Sequence, residues 1–93
     1  LDLPAFLALA KASPAYSVAM DTKGERMLEA RYDEPESRVR QHLKDVGLIL
    51  DYARAAGAAL PLSAAHRALL EAAMAAGDGD LDNAAIFRRY GSR

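Results

Sequence analysis

Residues 35–57 read PESRVRQHLKDVGLILDYARAAG, and this stretch carries the clearest structural signal in the chain. Its apolar residues recur at alternating intervals of four and three positions: Val39, Leu43, Val46, Leu50 and Ala53. That spacing places them on one side of an α-helix, so we predict a helix from about Pro35 to Ala56. Gly57 follows at the position where many helices end in a left-handed residue.

The opposite side of this predicted helix is mostly polar. At about 100° per residue, it carries Ser37, Gln41, Lys44, Asp45 and Leu48. A lysine–aspartate pair on a helix surface is usually only a solvated pair of charges. Lys44 lies near the middle of the longest predicted helix, however, and from there its ammonium group can reach a phosphate or carboxylate held by another domain.

The other segments also favour helix, because the chain contains 21 alanines and 13 leucines and few β-branched residues. We predict helices over Pro4–Ala12, over Ala15–Ala30 with an interruption at Gly24, from Pro61 or Ser63 to Ala76, and a closing helix capped by Asp80 or Asp82. In the helix that ends at Ala76, one face carries Leu62, Ala65, Leu69, Ala72 and Ala76, and we expect another helix to pack where alanines are frequent. The sequence therefore predicts an all-α fold, a compact bundle of about five helices in a single domain over residues 1–93.

Composition and charge disfavour or exclude several classes of protein. The 93 residues hold 12 Lys and Arg against 13 Asp and Glu, and the resulting net charge of −1 argues against a nucleic-acid partner. The absence of Cys excludes disulfides and thiolate metal sites. No apolar run approaches the roughly 18–20 residues of a membrane helix, and no secretory signal is visible, so we expect a cytoplasmic protein with no membrane partner. Because the chain starts at Leu1 without a Met, we expect it to be part of a longer protein.

One acidic motif looks at first like a metal site. Asp78-x-Asp80-x-Asp82 is similar to the start of a calcium-binding loop. Such a loop needs Gly at its sixth position and Glu at its twelfth, and those positions hold Asn83 and Arg89 here. We therefore expect an Asp-rich turn that caps the last helix.

The two histidines offer a second, weaker metal pattern. His42 and His66 lie on different predicted helices, so only a tertiary contact could bring them to one metal, and we favour surface or interface histidines. No metal ligand is therefore predicted. The chain also contains neither GxGxxG nor GxxxxGK(S/T), and so has no phosphate-binding loop of its own.

Several segments occur together in a characteristic order. They are the opening Leu1-Asp2-Leu3, then Lys44-Asp45-Val46-Gly47-Leu48, then Ala53-x-x-Ala56-Gly57-x-x-Leu60-Pro61-Leu62, and finally Gly77-x-Gly79-Asp80-Leu81-Asp82-Asn83-Ala84-Ala85-Ile86. This series covers nearly the whole chain. It resembles the C-terminal domain of the β-hydroxyacid dehydrogenase family, which belongs to the 6-phosphogluconate dehydrogenase superfamily and includes 3-hydroxyisobutyrate, tartronate semialdehyde and L-threonate enzymes.

The resemblance implies a parent enzyme with an N-terminal Rossmann domain and a long interdomain helix, both absent from residues 1–93. The parent would bind NAD or NADP and interconvert a 3-hydroxy acid with its semialdehyde or keto acid. Its general-acid lysine would lie on the interdomain helix, so the resemblance places no catalytic residue in this chain, and we expect the chain alone to be inactive. The implied partners are the Rossmann domain, a small hydroxy-acid substrate and further copies in a homo-oligomer.

The resemblance also assigns roles to four positions. Lys44 matches the family lysine that contacts the bound nicotinamide cofactor, and Asp45 matches an acid at the edge of the active site. Ser37 departs from the family, which often has an aromatic residue, usually Phe, at this place in the wall of the substrate pocket. Ser37 and Gln41 would make that wall smaller and more polar, and this favours a polyhydroxylated acid over a branched apolar one. The implied substrate cleft is therefore lined by Ser37, Gln41 and Asp45.

Two other functions stay open at this point. The alanine-rich faces and the near-neutral charge also fit a free-standing α-helical protein-interaction module without catalysis. A small helical nucleic-acid binder would use the basic residues Arg38, Arg40, Arg88, Arg89 and Arg93. Acidic neighbours offset the first two of these residues, which disfavours the nucleic-acid reading.

Overall fold

The computed structural model describes residues 2–90, which form helices joined by short turns. The four α-helices are α1 (Leu3–Lys11), α2 (Glu25–Glu29), α3 (Val39–Ala55) and α4 (Pro61–Ala75). A π-helical turn (Met20–Gly24) leads directly into α2, and a 3-10 helix (Asn83–Arg89) follows α4. With the π-turn and α2 counted together, residues 2–90 contain five helical segments and no strand. The prediction of an all-α bundle of about five helices is confirmed.

The core lies where α3 and α4 pack against each other and against the 3-10 helix. Its buried side chains are Tyr32, Val39, Val46, Leu70, Ala73, Ala84 and Ala85. On α3, Val39, Val46 and Ala53 are buried, and Leu43 and Leu50 are half-buried, so the apolar stripe predicted from the spacing is confirmed. Gly57 and Gly77 follow α3 and α4 with φ of +78° and +89°, the left-handed conformation that glycine adopts at little cost.

Helix α3 begins four residues later than predicted. The segment before Val39 is extended, with ψ of 151° at Arg38, because it pairs with the turn that precedes the 3-10 helix. The carbonyl of Ser37 accepts the N–H of Asn83 at 2.7 Å. The N–H group of Val39, which has no acceptor within the helix, donates to the carbonyl of Leu81 at 3.0 Å. This long-range pairing satisfies backbone groups that a longer helix would otherwise have used.

Helix α4 buries a different face from the apolar one identified in the sequence. Leu70 and Ala73 are fully buried, whereas Leu62 is 86% exposed. The buried face continues through His66 and Arg67, which are both half-buried. Alanine and leucine occur on every side of α4, so the apolar pattern could not select the side that packs on α3. The face that carries Leu62, Ala65, Leu69, Ala72 and Ala76 is therefore not the face that packs on α3.

The carboxylate of Asp82 connects three parts of the fold and is completely buried. It accepts hydrogen bonds from the N–H of Ala84, at the start of the 3-10 helix, and from the N–H of Glu36, each at 2.9 Å. The ammonium of Lys23, in the π-turn, donates to the same carboxylate at 2.9 Å. Burial by itself would raise the pKa of Asp82, but these hydrogen bonds outweigh it and hold the pKa below its usual value. Asp82 is thus confirmed as the cap of the last helix.

None of the helices described within residues 2–90 combines the length and the apolar character that crossing a membrane would require.

Candidate functional site

The candidate site is the solvent-exposed face of α3. Gln41, Lys44, Asp45 and Leu48 are all exposed there, at intervals of three, one and three residues. Since a helix rises about 1.5 Å per residue, the face presents these side chains along roughly 10 Å of helix. The sequence predicted that these four residues share one face, and the structure agrees.

Lys44 is the lysine of the described chain that has no ionic partner. Lys11 pairs with Glu25 at 3.3 Å, and Lys23 pairs with Asp82 at 2.9 Å. Within residues 2–90, Lys44 forms no ion pair and donates no side-chain hydrogen bond. Its ammonium group is therefore free of local ionic contacts within these residues. Asp45 is likewise exposed and unpaired within the same residues.

Ser37 and Gln41 are arranged differently from the prediction. Ser37 lies in the extended segment before α3, and so it does not continue the helical face of Gln41 and Lys44. The prediction that Ser37 lies on this helix is wrong, because its carbonyl accepts a hydrogen bond from the N–H of Asn83. Gln41 lies in the first turn of α3, where its side-chain oxygen accepts the N–H of Arg38 at 3.4 Å. Gln41 thus also helps to begin the helix.

Beyond the polar residues of this face, the surface of α3 becomes apolar toward the end of the helix. Leu48, Ile49 and Tyr52 are 59%, 53% and 79% exposed. A separate apolar groove runs beside α1, with Phe6, Leu7 and Met27 in its walls. Another opens at the turn from α3 to α4 beside Leu50 and Arg54. These grooves do not include Lys44 or Asp45, so the candidate site is an open helix surface.

The structure brings together two residues that sequence reasoning had kept apart. The rings of His42 on α3 and His66 on α4 have centroids 4.9 Å apart and planes tilted by 57°. Burial lowers the pKa of His42, the neighbouring His66 lowers it further, and Asp45 opposes the shift. Only the tertiary contact of α3 with α4 creates this pair, and no local spacing in the sequence could have indicated it.

Arg88, one of the basic residues near the C-terminus, has structural partners. The guanidinium of Arg88 lies over the ring of Tyr32, 4.9 Å from its centroid, and contacts Asp78 at 3.4 Å. Arg89 is half-buried, and Arg93 lies outside the described residues, as does Leu1. Each aspartate of the acidic turn contacts at least one cation: Asp78 pairs with Arg88, Asp80 with Arg40, and Asp82 with Lys23 and, at 3.7 Å, with Arg26. The carboxylates of this turn are therefore already neutralised by side chains.

Comparison with known proteins points to one family. A family model described as NAD-binding of NADP-dependent 3-hydroxyisobutyrate dehydrogenase matches residues 1–90. The fold is similar to that of a 3-hydroxyisobutyrate dehydrogenase from Salmonella typhimurium, with a TM-score of 0.90 and 24% sequence identity. The superposition covers 97% of this chain but 31% of that enzyme, so the chain spans about a third of its length.

Proposed function

Since the chain belongs to the β-hydroxyacid dehydrogenase family, as the match over residues 1–90 shows, we propose that it is the C-terminal helical domain of an NAD(P)-dependent enzyme. The parent would oxidise a 3-hydroxy acid to its semialdehyde or keto acid, or catalyse the reverse reduction. The observation that carries this proposal is the family match over residues 1–90. The exposed Lys44, which the resemblance pairs with the family's cofactor-contacting lysine, supports it. The same match favours this function over a free-standing interaction module.

Lys44 suits a nicotinamide cofactor by its charge and its freedom. A lysine ammonium is a compact positive charge on a flexible stem, which can follow a phosphate or ribose oxygen presented by another domain. No local carboxylate within residues 2–90 competes for it. When bound, the cofactor supplies the hydride chemistry. This chain would contribute binding and orientation, while the proton would be moved by a lysine outside residues 1–93.

Asp45, Gln41 and Ser37 would line the substrate side of the cleft. Asp45 and Gln41 are exposed polar groups on the same helix face, and Ser37 lies just ahead of that helix. Hydroxyl-rich substrates can exchange hydrogen bonds with such groups, whereas a branched apolar substrate would gain little from them. We therefore propose a polyhydroxylated acid as substrate, with either NAD or NADP as the cofactor.

We assign the exposed apolar residues to contacts with the Rossmann domain and with a second copy of the protein. Leu48, Ile49 and Tyr52 adjoin the candidate site, and we assign them to the Rossmann side of the cleft. Helix α1 buries none of its residues and leaves Phe6 and Leu9 exposed, which suits contact with a second copy in a homo-oligomer. The 93-residue chain alone is proposed to lack activity. A cytoplasmic location remains the expectation from the sequence.

Steady-state kinetics of the full parent enzyme test this proposal. Lys44→Met should raise the KM for the cofactor about 10- to 100-fold, the range expected for one charge-assisted hydrogen bond, with a smaller effect on kcat. Arg54→Met is the matched control, because Arg54 is also an exposed cation of α3 but lies about three turns further along the helix. Equal KM values in the two variants would contradict the role of Lys44.

A second kinetic comparison tests the substrate class. The enzyme should show a higher kcat/KM for a threonate-like acid than for a 3-hydroxyisobutyrate-like acid. A clear preference for the branched acid would overturn the assignment of Ser37 and Gln41 to a polar pocket wall, while leaving the dehydrogenase assignment intact.

A further inference from the structure

The histidine pair lies outside the proposed cofactor site. His42 and Lys44 are two residues apart, which separates them by about 200° around α3. His42 therefore points toward α4, where it meets His66, while Lys44 faces solvent. Any function of the pair is thus independent of the cofactor contact proposed above.

We propose that His42 and His66 form a binding site for a divalent transition-metal ion such as Zn²⁺, with water completing the coordination. Two imidazoles that share a tetrahedral ion at about 2.0–2.1 Å per nitrogen have ring centroids about 5 Å apart. The observed separation is 4.9 Å, and the tilt of 57° differs from parallel stacking. The separation of the two ring centroids therefore matches the one expected for a shared ion.

The backbone holds the two ligands in place. His42 precedes the buried Val46 by one helical turn, and His66 precedes the buried Leu70 by one turn. Because both of these apolar residues belong to the same core, the helix segments that carry the imidazoles are fixed relative to each other. A site on rigid elements loses little conformational entropy when the ion binds.

The ligand set restricts the kind of ion. Within residues 2–90, no third His or carboxylate completes a cluster with the pair. Two imidazoles suit Zn²⁺, Ni²⁺ or Cu²⁺, whereas Mg²⁺ and Ca²⁺ prefer sets of oxygen ligands. A bound ion would link α3 to α4.

Calorimetric titration of Zn²⁺ into the intact protein tests the proposal. The protein should be purified without a polyhistidine tag and first stripped with a chelator. The number of Zn²⁺ ions bound per chain is expected to be one higher for the native protein than for the His42→Gln or His66→Gln variant. If weak binding persists in a variant, its affinity should be at least about tenfold lower, because even the loss of an outer partner of a metal ligand costs about 10- to 100-fold. Mg²⁺ should not bind at this site.

Two further measurements separate the loss of a ligand from the loss of the fold. His66→Cys should retain Zn²⁺ binding, because a thiolate is also a zinc ligand, and far-UV circular dichroism should show each metal-free variant folded. The electron paramagnetic resonance spectrum of the Cu²⁺ form of the native protein should show two coupled imidazole nitrogens. Equal Zn²⁺ binding by native protein and both Gln variants would overturn the proposal, as would fewer than two coupled nitrogens.

Discussion

Replacing Asp82 with alanine should destabilise the protein more than any other single change at a charged residue of the described chain. The Asp82 carboxylate is completely buried and accepts hydrogen bonds from the main chain at Glu36 and Ala84 and from the side chain of Lys23. In Asp82→Ala, these donors lose an acceptor that is itself completely buried. The segment before α3 would also lose its connection to the 3-10 helix.

The size of the effect follows from these contacts. Removing one partner of a buried ion pair costs about 3–5 kcal/mol, and loss of a helix cap costs about 1 kcal/mol. The two costs share the same oxygen atoms and do not simply add. Lys23 also keeps a longer contact with the carboxylate of Glu36 at 3.7 Å. We therefore expect a loss of about 3–4 kcal/mol, a large share of the 5–15 kcal/mol that is typical of a folded domain.

Urea unfolding followed by far-UV circular dichroism measures this loss. With a slope of about 1–3 kcal/mol per M, the midpoint should fall by at least about 1 M. Asp80→Ala is the matched control, because Asp80 is 77% exposed at its side chain and, among residues 2–90, pairs with the exposed Arg40 alone. That surface pair contributes at most about 1 kcal/mol. Equal midpoint shifts for the two variants would refute the reasoning.

The remaining stability predictions use the same unfolding measurement. The pKa of Asp82 lies below its unfolded value of 3.8. Its contribution to the free energy of unfolding is therefore complete above pH 3.8 and is lost as the pH falls through the folded pKa. Asp82→Asn should weaken this loss of stability in acid, and an unchanged pH profile would contradict the prediction. Leu70→Ala removes a fully buried side chain and should cost about 2–5 kcal/mol; a loss under 1 kcal/mol would place Leu70 outside the core. Gly47→Ala should stabilise α3 by about 0.5–1 kcal/mol, since no side chain beyond its two chain neighbours lies within 4 Å of the added methyl group. Gly57→Ala should destabilise by about 1–2 kcal/mol, since φ is +78° there; the same sign of effect at both glycines would contradict these two predictions.

Local patterns in the sequence predicted the parts of the fold that depend on local physics. The stripe of Val39, Val46 and Ala53 was predictable because its period matches the helix, and the end of α3 was predictable because Gly57 can adopt a positive φ. The Asp82 cap was predictable in the same way. Its contact with Lys23 was not, because 59 residues separate the two.

Other features depend on contacts that local patterns do not contain. The start of α3 was misplaced because Ser37 pairs with Asn83, far along the chain. The buried face of α4 could not be chosen because its sequence is apolar on every side. The role of Lys44 rests on the resemblance to a family, since its exposure and its missing ion partner would equally suit an ordinary surface lysine.

The central claim, that Lys44 contacts the nicotinamide cofactor, is tested most directly by labelling lysines in the intact parent protein. An amine-acetylating reagent would be applied with and without saturating cofactor, and the labelling of each lysine measured by mass spectrometry. Lys11 and Lys23 are internal controls, because both are held in ion pairs within the described fold. The account predicts that the cofactor protects Lys44 and leaves the labelling of Lys11 and Lys23 unchanged. Labelling of Lys44 that is unchanged at saturating cofactor would contradict it.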